Sequence, residues 1–189
     1  MKTKSKALLL TLCAVLLVAA SVLGTMAYLT STDTVTNTFT VGKVEITLDE
    51  TDVTNPNGPR VKANSYKLMP GTTYTKDPTV TVKGGSEACY LFVKVEKEGT
   101  FAGISYEIAD GWTELESGVY YRLVDAVTAD TSFAVIKGNE ITVSSDLTKE
   151  NIPSAQPKLT FTAYAVQKEN IPNAAAAWEA ANPATTTNP

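Results

Sequence analysis

From Leu29 to Val41 the chain alternates with a period of two. Thr30, Thr32, Thr34, Thr36, Thr38 and Thr40 hold the even positions. Leu29, Val35, Phe39 and Val41 stand among the odd ones, with Ser31, Asp33 and Asn37 between them. This spacing, rich in β-branched residues, specifies a strand. At roughly 3.3 Å per residue the ribbon extends about 40 Å, longer than a common strand. After Gly42 the apolar phase moves to Val44, Ile46 and Leu48. A phase change of one residue at a glycine predicts a β-bulge or bend at that point.

The same alternation recurs along the chain. Val80 and Val82 mark a short strand ending at Gly84-Gly85. Ala88 to Glu96 is the strongest core strand, with Cys89, Leu91, Val93 and Val95 on one face and Tyr90, Phe92, Lys94 and Glu96 on the other. Ile104 to Ile108 alternates. Trp112 and Leu115 lead through Glu116-Ser117-Gly118 into Val119 to Val124, the pattern of a hairpin. Tyr120 and Tyr121 point to opposite faces of that strand, so one at most is expected in the core. Phe133 to Ile136 and Ile141 to Val143 flank a Lys137-Gly138-Asn139 turn, and Lys158 to Gln167 is the last strand. Asp49 to Asn64 reads as a loop built on Asn55-Pro56-Asn57-Gly58-Pro59. Its Asp49, Glu50 and Asp52 lack calcium-loop spacing and are expected to be solvated. Pro172, the alanines 174 to 177 and Trp178, stopped at Asn182-Pro183, predict one short C-terminal helix. Many short strands separated by Gly, Pro and Asn specify an all-β antiparallel sandwich.

At the front, Lys2, Lys4 and Lys6 precede a 17-residue uncharged apolar run from Ala7 to Leu23, and Gly24, Thr25 and Ala27 follow as small residues. That is the order of a secretory leader, cut at Ala27 or Tyr28. The run is just long enough to skirt the lower limit of a membrane span, and an uncleaved anchor is the competing reading. The expected organisation is a leader over 1–27 that meets the membrane only during export, a β-sandwich over 28–183 with its first strand at 28–41, and a tail over 184–189. Removing the leader leaves 162 residues with 13 basic against 20 acidic side chains, a formal charge of −7. An acidic domain with only two arginines, Arg60 and Arg122, is a poor partner for nucleic acid, which demands clustered cations. Cys89 becomes the lone cysteine and is expected in the core.

The chain contains no histidine. This excludes Ser-His-Asp and Cys-His nucleophilic arrangements and HExxH zinc sites. Two carboxylates could still cleave a glycoside, yet Glu87, Glu96, Asp110, Glu114 and Glu116 show no spacing that selects a pair. The expectation is therefore a protein that is not an enzyme and carries no cofactor or metal. A cell-surface adhesin or glycan-binding module, with Tyr121 or Trp112 exposed for stacking, is the alternative to a structural role.

Several stretches resemble the TasA/camelysin family of Gram-positive bacteria. These are Gly24-Thr25-Met26-Ala27-Tyr28, Asn37-Thr38-Phe39-Thr40-Val41-Gly42, Leu68-Met69-Pro70-Gly71 with Lys76-Asp77-Pro78-Thr79-Val80, and Ala163-Tyr164-Ala165-Val166-Gln167 followed by the Ala-Trp helix. The resemblance implies a jelly-roll-like sandwich, export that depends on a SipW-type signal peptidase, and service as a subunit of extracellular biofilm-matrix fibres or at the cell surface. It implies assembly by donor-strand exchange, with Leu29, Val35, Phe39, Val41 and Gly42 in the assembly strand. The partner is then the protein itself, as a homopolymer, with a related minor matrix protein as a second candidate. Some relatives have been classed as metalloproteases; a chain without histidine departs from that activity. A strand that donates to a neighbour forms a contact that does not close on itself, and so propagates.

Overall fold

A computed structural model describes residue 6 and residues 11–17, 42–147 and 157–182. The Leu29–Val41 ribbon and the cut at Ala27 or Tyr28 lie outside the described residues. Residues 11–17 are helical, with Leu12, Val15, Leu16 and Leu17 exposed. No helix among the described residues is long and apolar enough to cross a membrane.

The body is an all-β, jelly-roll-like antiparallel sandwich with one short C-terminal helix. Its strands are β1 (Ile46–Asp49), β2 (Thr73–Thr75), β3 (Thr79–Val82), β4 (Cys89–Glu98), β5 (Ile104–Ser105), β6 (Thr113–Glu116), β7 (Val119–Val124), β8 (Thr131–Ala134), β9 (Glu140–Val143) and β10 (Lys158–Gln167); the helix α1 is Ala174–Ala181. The chain crosses repeatedly between three sheets, ordered β1-β3-β8, β10-β4-β7-β6 and β2-β9-β5.

β4 is the central element. Cys89, Leu91, Val93 and Val95 join Val80, Val82, Val124 and Val135 in the main core. The opposite face is buried too: Tyr90 and Phe92 lie with Val119 under Ala174, Ala177 and Trp178 of α1. The helix covers this face because its apolar residues fall on one side and both ends are closed. Asn173 Oδ1 accepts from Ala176 N at 2.9 Å, and Asn182 N donates to Trp178 O at 2.9 Å, so caps satisfy groups that a short helix leaves open. The Trp178 ring sits 5.3 Å from Phe92 and 5.1 Å from Tyr164, and its Nε1 donates to Glu116 Oε1 at 2.8 Å.

Coverage on both faces corrects the expectation for the tyrosine pair. Tyr120 packs on the main core and Tyr121 on the helix-side core, both half-buried. The hairpin β6–β7 forms as expected, with Gly118 at φ +78° and so close to β4 that a Cβ there would lie 2.8 Å from Val95 O. The expected bulge or bend at Gly42 involves residues before it that lie outside the described ones; the φ of Gly42 itself is not in the left-handed region. A Cβ at Gly42 would lie 3.0 Å from Glu87 Cγ and 3.2 Å from Gln167 Nε2, so close approach is what makes glycine fit.

Replacing Trp178 by Ala should lower unfolding free energy by about 3–5 kcal/mol, as for other large-to-small changes in a core. Removing the cap with Asn173→Ala should cost only about 1 kcal/mol. Urea denaturation of the two variants checks this; equal losses would mean that α1 does not seal the second core.

Candidate functional site

Two sheet edges lie side by side in the body without pairing. β1 is the edge of one sheet and β10 the edge of another; their Cα atoms come within 8 Å, yet no ladder joins them. Among the described residues no main-chain bond crosses the seam, and a gap of at most 8 Å is narrower than the roughly 9.6 Å that a third strand between two partners needs.

On β10 the pairing phase is set by Lys168 N donating to Ala88 O at 2.8 Å. Antiparallel alternation then turns the main-chain groups of the even residues, Lys158 to Val166, toward β4. Those of Leu159, Phe161, Ala163, Ala165 and Gln167 turn outward, and among the described residues they meet no main-chain partner. The side chains of Leu159, Phe161, Ala163 and Ala165 face the main core but are only half-buried. Among the described residues β10 is therefore a long edge with an apolar inner face.

The β1 edge is largely closed. Lys83 N donates to Glu45 O at 2.9 Å, which by the same alternation sends the groups of Ile46, Leu48 and Glu50 outward. Val61 pairs with Glu50 through bonds of 2.9 and 2.7 Å, and Lys62 Nζ donates to Leu48 O. A polar network holds this covering loop down. Arg60 forms an ion pair with Asp49 through Nε, and its Nη1 lies 2.9 Å from Asp77 Oδ2. Arg60 Nη2 donates to Asp77 O at 2.9 Å and to Asp49 O at 3.0 Å. Asp77 also accepts from Thr51 N at 2.8 Å and Thr51 Oγ1 at 2.7 Å. Burial works against the Asp77 carboxylate, but the Thr51 bonds and the Arg60 charge outweigh it and hold its pKa below the ordinary 3.8.

Beneath the loop, Lys76 Nζ meets Glu50 Oε2 at 2.5 Å, with only 8% and 5% of the two residues exposed. The ammonium also lies 5.7 Å from the Phe161 ring centroid and 5.5 Å from that of Tyr66. The expectation of a solvated acidic loop is thus corrected: Asp49 and Glu50 are both ion-paired, while Asp52 accepts from Thr54 and Asn55 in a turn. Two cavities open beside these residues. One of about 420 Å³ is lined by Leu48, Glu50, Val61, Lys76, Leu159 and Phe161. The other, about 500 Å³, reaches Tyr66, Phe101, Ile104 and Ile141.

Of the residues expected in the assembly strand, the structure places Gly42, at the Gln167 end of β10. Leu29, Val35, Phe39 and Val41 lie outside the described residues. The aromatic residues offered for glycan stacking are engaged elsewhere. Trp112 is half-buried, donates from Nε1 to Ala134 O at 2.8 Å, and lies 5.4 Å from the Arg122 guanidinium, which itself sits 4.0 Å from the Phe133 ring centroid. Tyr121 packs 6.2 Å from Phe92. Among the described residues no three His, Cys, Asp or Glu side chains gather as a metal site. Cys89 is fully buried, and burial pushes its thiol up to about 11, far from a reactive thiolate. No family model, no curated protein and no solved structure matches the chain.

Because its folded pKa is lowered, Asp77 contributes stability that is complete above the unfolded value near 3.8 and is lost as pH falls through the lower folded value. Asp77→Asn should therefore cost about 1 kcal/mol at pH 7 after allowance for solvent screening. Denaturation curves from pH 7 to pH 2 should show that deficit shrinking below pH 4. A deficit that stays constant, or grows, in acid would contradict the role given to Arg60 and Thr51.

Proposed function

We propose that this protein is an exported structural subunit that polymerises by strand addition. The ribbon Leu29–Val41 of one copy pairs with the outer edge of β10 in the next, an edge without a main-chain partner among the described residues. The observation that carries the reading is the state of that edge. Soluble β proteins blunt their edges with short strands, bulges, charges, proline or covering loops. Here β1 is covered by its loop, β6 carries a register shift and two glutamates, and β2, β5 and β8 have four residues or fewer. β10 has ten residues, no proline, no shift in its register with β4, and a single lysine at its start. A strand left in this condition fits a role in which another strand completes it.

Three further features support the reading. The leader pattern at 1–27 fits export, to an extracellular matrix or cell surface. The alternating ribbon that follows it has the β-branched composition of a strand. The motifs shared with the TasA/camelysin family fall on both the ribbon and β10. Lys76-Asp77-Pro78, one of those motifs, supplies the buried Lys76–Glu50 pair and the Asp77 clamp beside the seam. The function is structural rather than catalytic, and the partner is another copy of the same chain.

Negative-stain electron microscopy tests this with protein beginning at Tyr28 and with the same protein lacking residues 29–39. The first should form filaments, and the second should remain a folded monomer with an unchanged far-UV circular dichroism minimum. Monomers alone in the first sample, across concentration and pH, would overturn the proposal.

A further inference from the structure

The two ends of the seam differ, and the difference fixes how a ribbon can lie in it. At one end Gly42 approaches Gln167. At the other, Leu48 and Glu50 share a cavity with Leu159 and Phe161. β1 therefore runs from the Gln167 end of β10 toward its Lys158 end, antiparallel to it. A strand laid in the seam runs parallel to one edge and antiparallel to the other.

Continuity of the chain selects between the two directions. Each ribbon ends at Val41, and its own body begins at Gly42, at that body's Gln167 end. A ribbon running alongside β1 delivers Val41 to the Lys158 end of the acceptor, where the next body starts in the same orientation. One contact then repeats along a line. A ribbon in the opposite sense brings the Gln167 ends of successive bodies together and leaves no room there for a third. The productive direction is antiparallel to β10, which is also the more stable kind of ladder.

Two limits then set the register. Residues directly opposite share a face, so the odd positions of the ribbon lie against the core-facing odd positions of β10. Asp33 is the only charged residue between Tyr28 and Gly42. Burying it unpaired among Ala165, Ala163, Phe161 and Leu159 is costly, so it must stand at Gln167 or beyond. At the other end, Lys43 is committed to its own body, where its carbonyl accepts from Glu87 N at 3.0 Å. Val41 is thus the last residue that can stand opposite Leu159.

Both limits hold together in one register. We propose, on the strength of the assembly reading above, that the ribbon of a second copy lies antiparallel to β10 with Asp33 opposite Gln167, Val35 opposite Ala165, Asn37 opposite Ala163, Phe39 opposite Phe161 and Val41 opposite Leu159. In this arrangement Phe39 reaches the 420 Å³ cavity beside Phe161 and Lys76. The single inward amide, Asn37, falls over an alanine.

Disulfide capture in polymerised protein tests the register. The outward-facing positions of β10 form hydrogen-bonded pairs with the ribbon, with Cα atoms about 5.5 Å apart, a separation that a disulfide spans. Cys89 is fully buried and does not compete. Mature protein carrying Val35→Cys with Ala165→Cys, and separately Phe39→Cys with Phe161→Cys, should yield a covalent ladder on a non-reducing gel after mild oxidation. Val35→Cys with Ala163→Cys, one step out of register, should remain at least tenfold less linked. Filaments that ladder through the 35–163 pair, or through neither expected pair, would overturn the register while leaving strand addition intact. If protein with the native residues forms no filaments, the assembly reading and the register fall together.

Discussion

The pairing of β4 on both sides governs this structure. Its ten residues meet β10 along their whole length and β7 along six positions. From Cys89 to Val93 both of its faces are buried, one in the sandwich and one beneath α1. Main-chain groups in such a place have no access to water and must be bonded. β4 therefore needs β10 as a neighbour whether or not β10 has one of its own. The outer edge of β10 is a consequence of that demand: a strand recruited to complete a central one presents its second side outward.

Polar interactions decide the shape of the seam beside that edge. The Arg60, Asp49, Asp77 and Thr51 network holds the loop after β1 against the start of β3. The buried Lys76–Glu50 pair sits between this loop and the Phe161 ring. A buried pair gains little net stability over well-packed apolar residues, but it is costly to break. It therefore keeps β1 and its loop in one place relative to β10. With Cα atoms within 8 Å of each other across it, the seam is narrower than the roughly 9.6 Å that a strand paired on both sides needs, so the proposed strand addition requires this clamped edge to yield.

Much of this fold was legible along the chain because strand periodicity is local. The alternation in Cys89–Val95, the hairpin around Gly118 and the Ala-Trp helix all emerge where their patterns place them. What local pattern could not supply was coverage. Nothing near Tyr90, Phe92 or Tyr121 signals that α1, more than fifty residues later, packs on their face. Glu50 and Lys76 stand 26 positions apart, and nothing near either residue signals the other. β2 escaped notice because three residues around Tyr74 are too short to show a period. The status of β10 as an edge depends on sheet order, a property of topology that its own KLTFTAYAVQ does not express. The ribbon itself is legible only as a strand, and the edge proposed to receive it emerges only from the sheet order.

Residue-resolved hydrogen exchange on β10 tests the central claim most directly. In monomer lacking the ribbon, the amides of Thr160, Thr162 and Tyr164, bonded to β4, should exchange slowly, and those of Phe161, Ala163 and Ala165 should exchange quickly. In polymerised mature protein the second set should become as protected as the first. Odd-numbered amides already protected in that monomer, or still exchanging quickly in the polymer, would contradict the account.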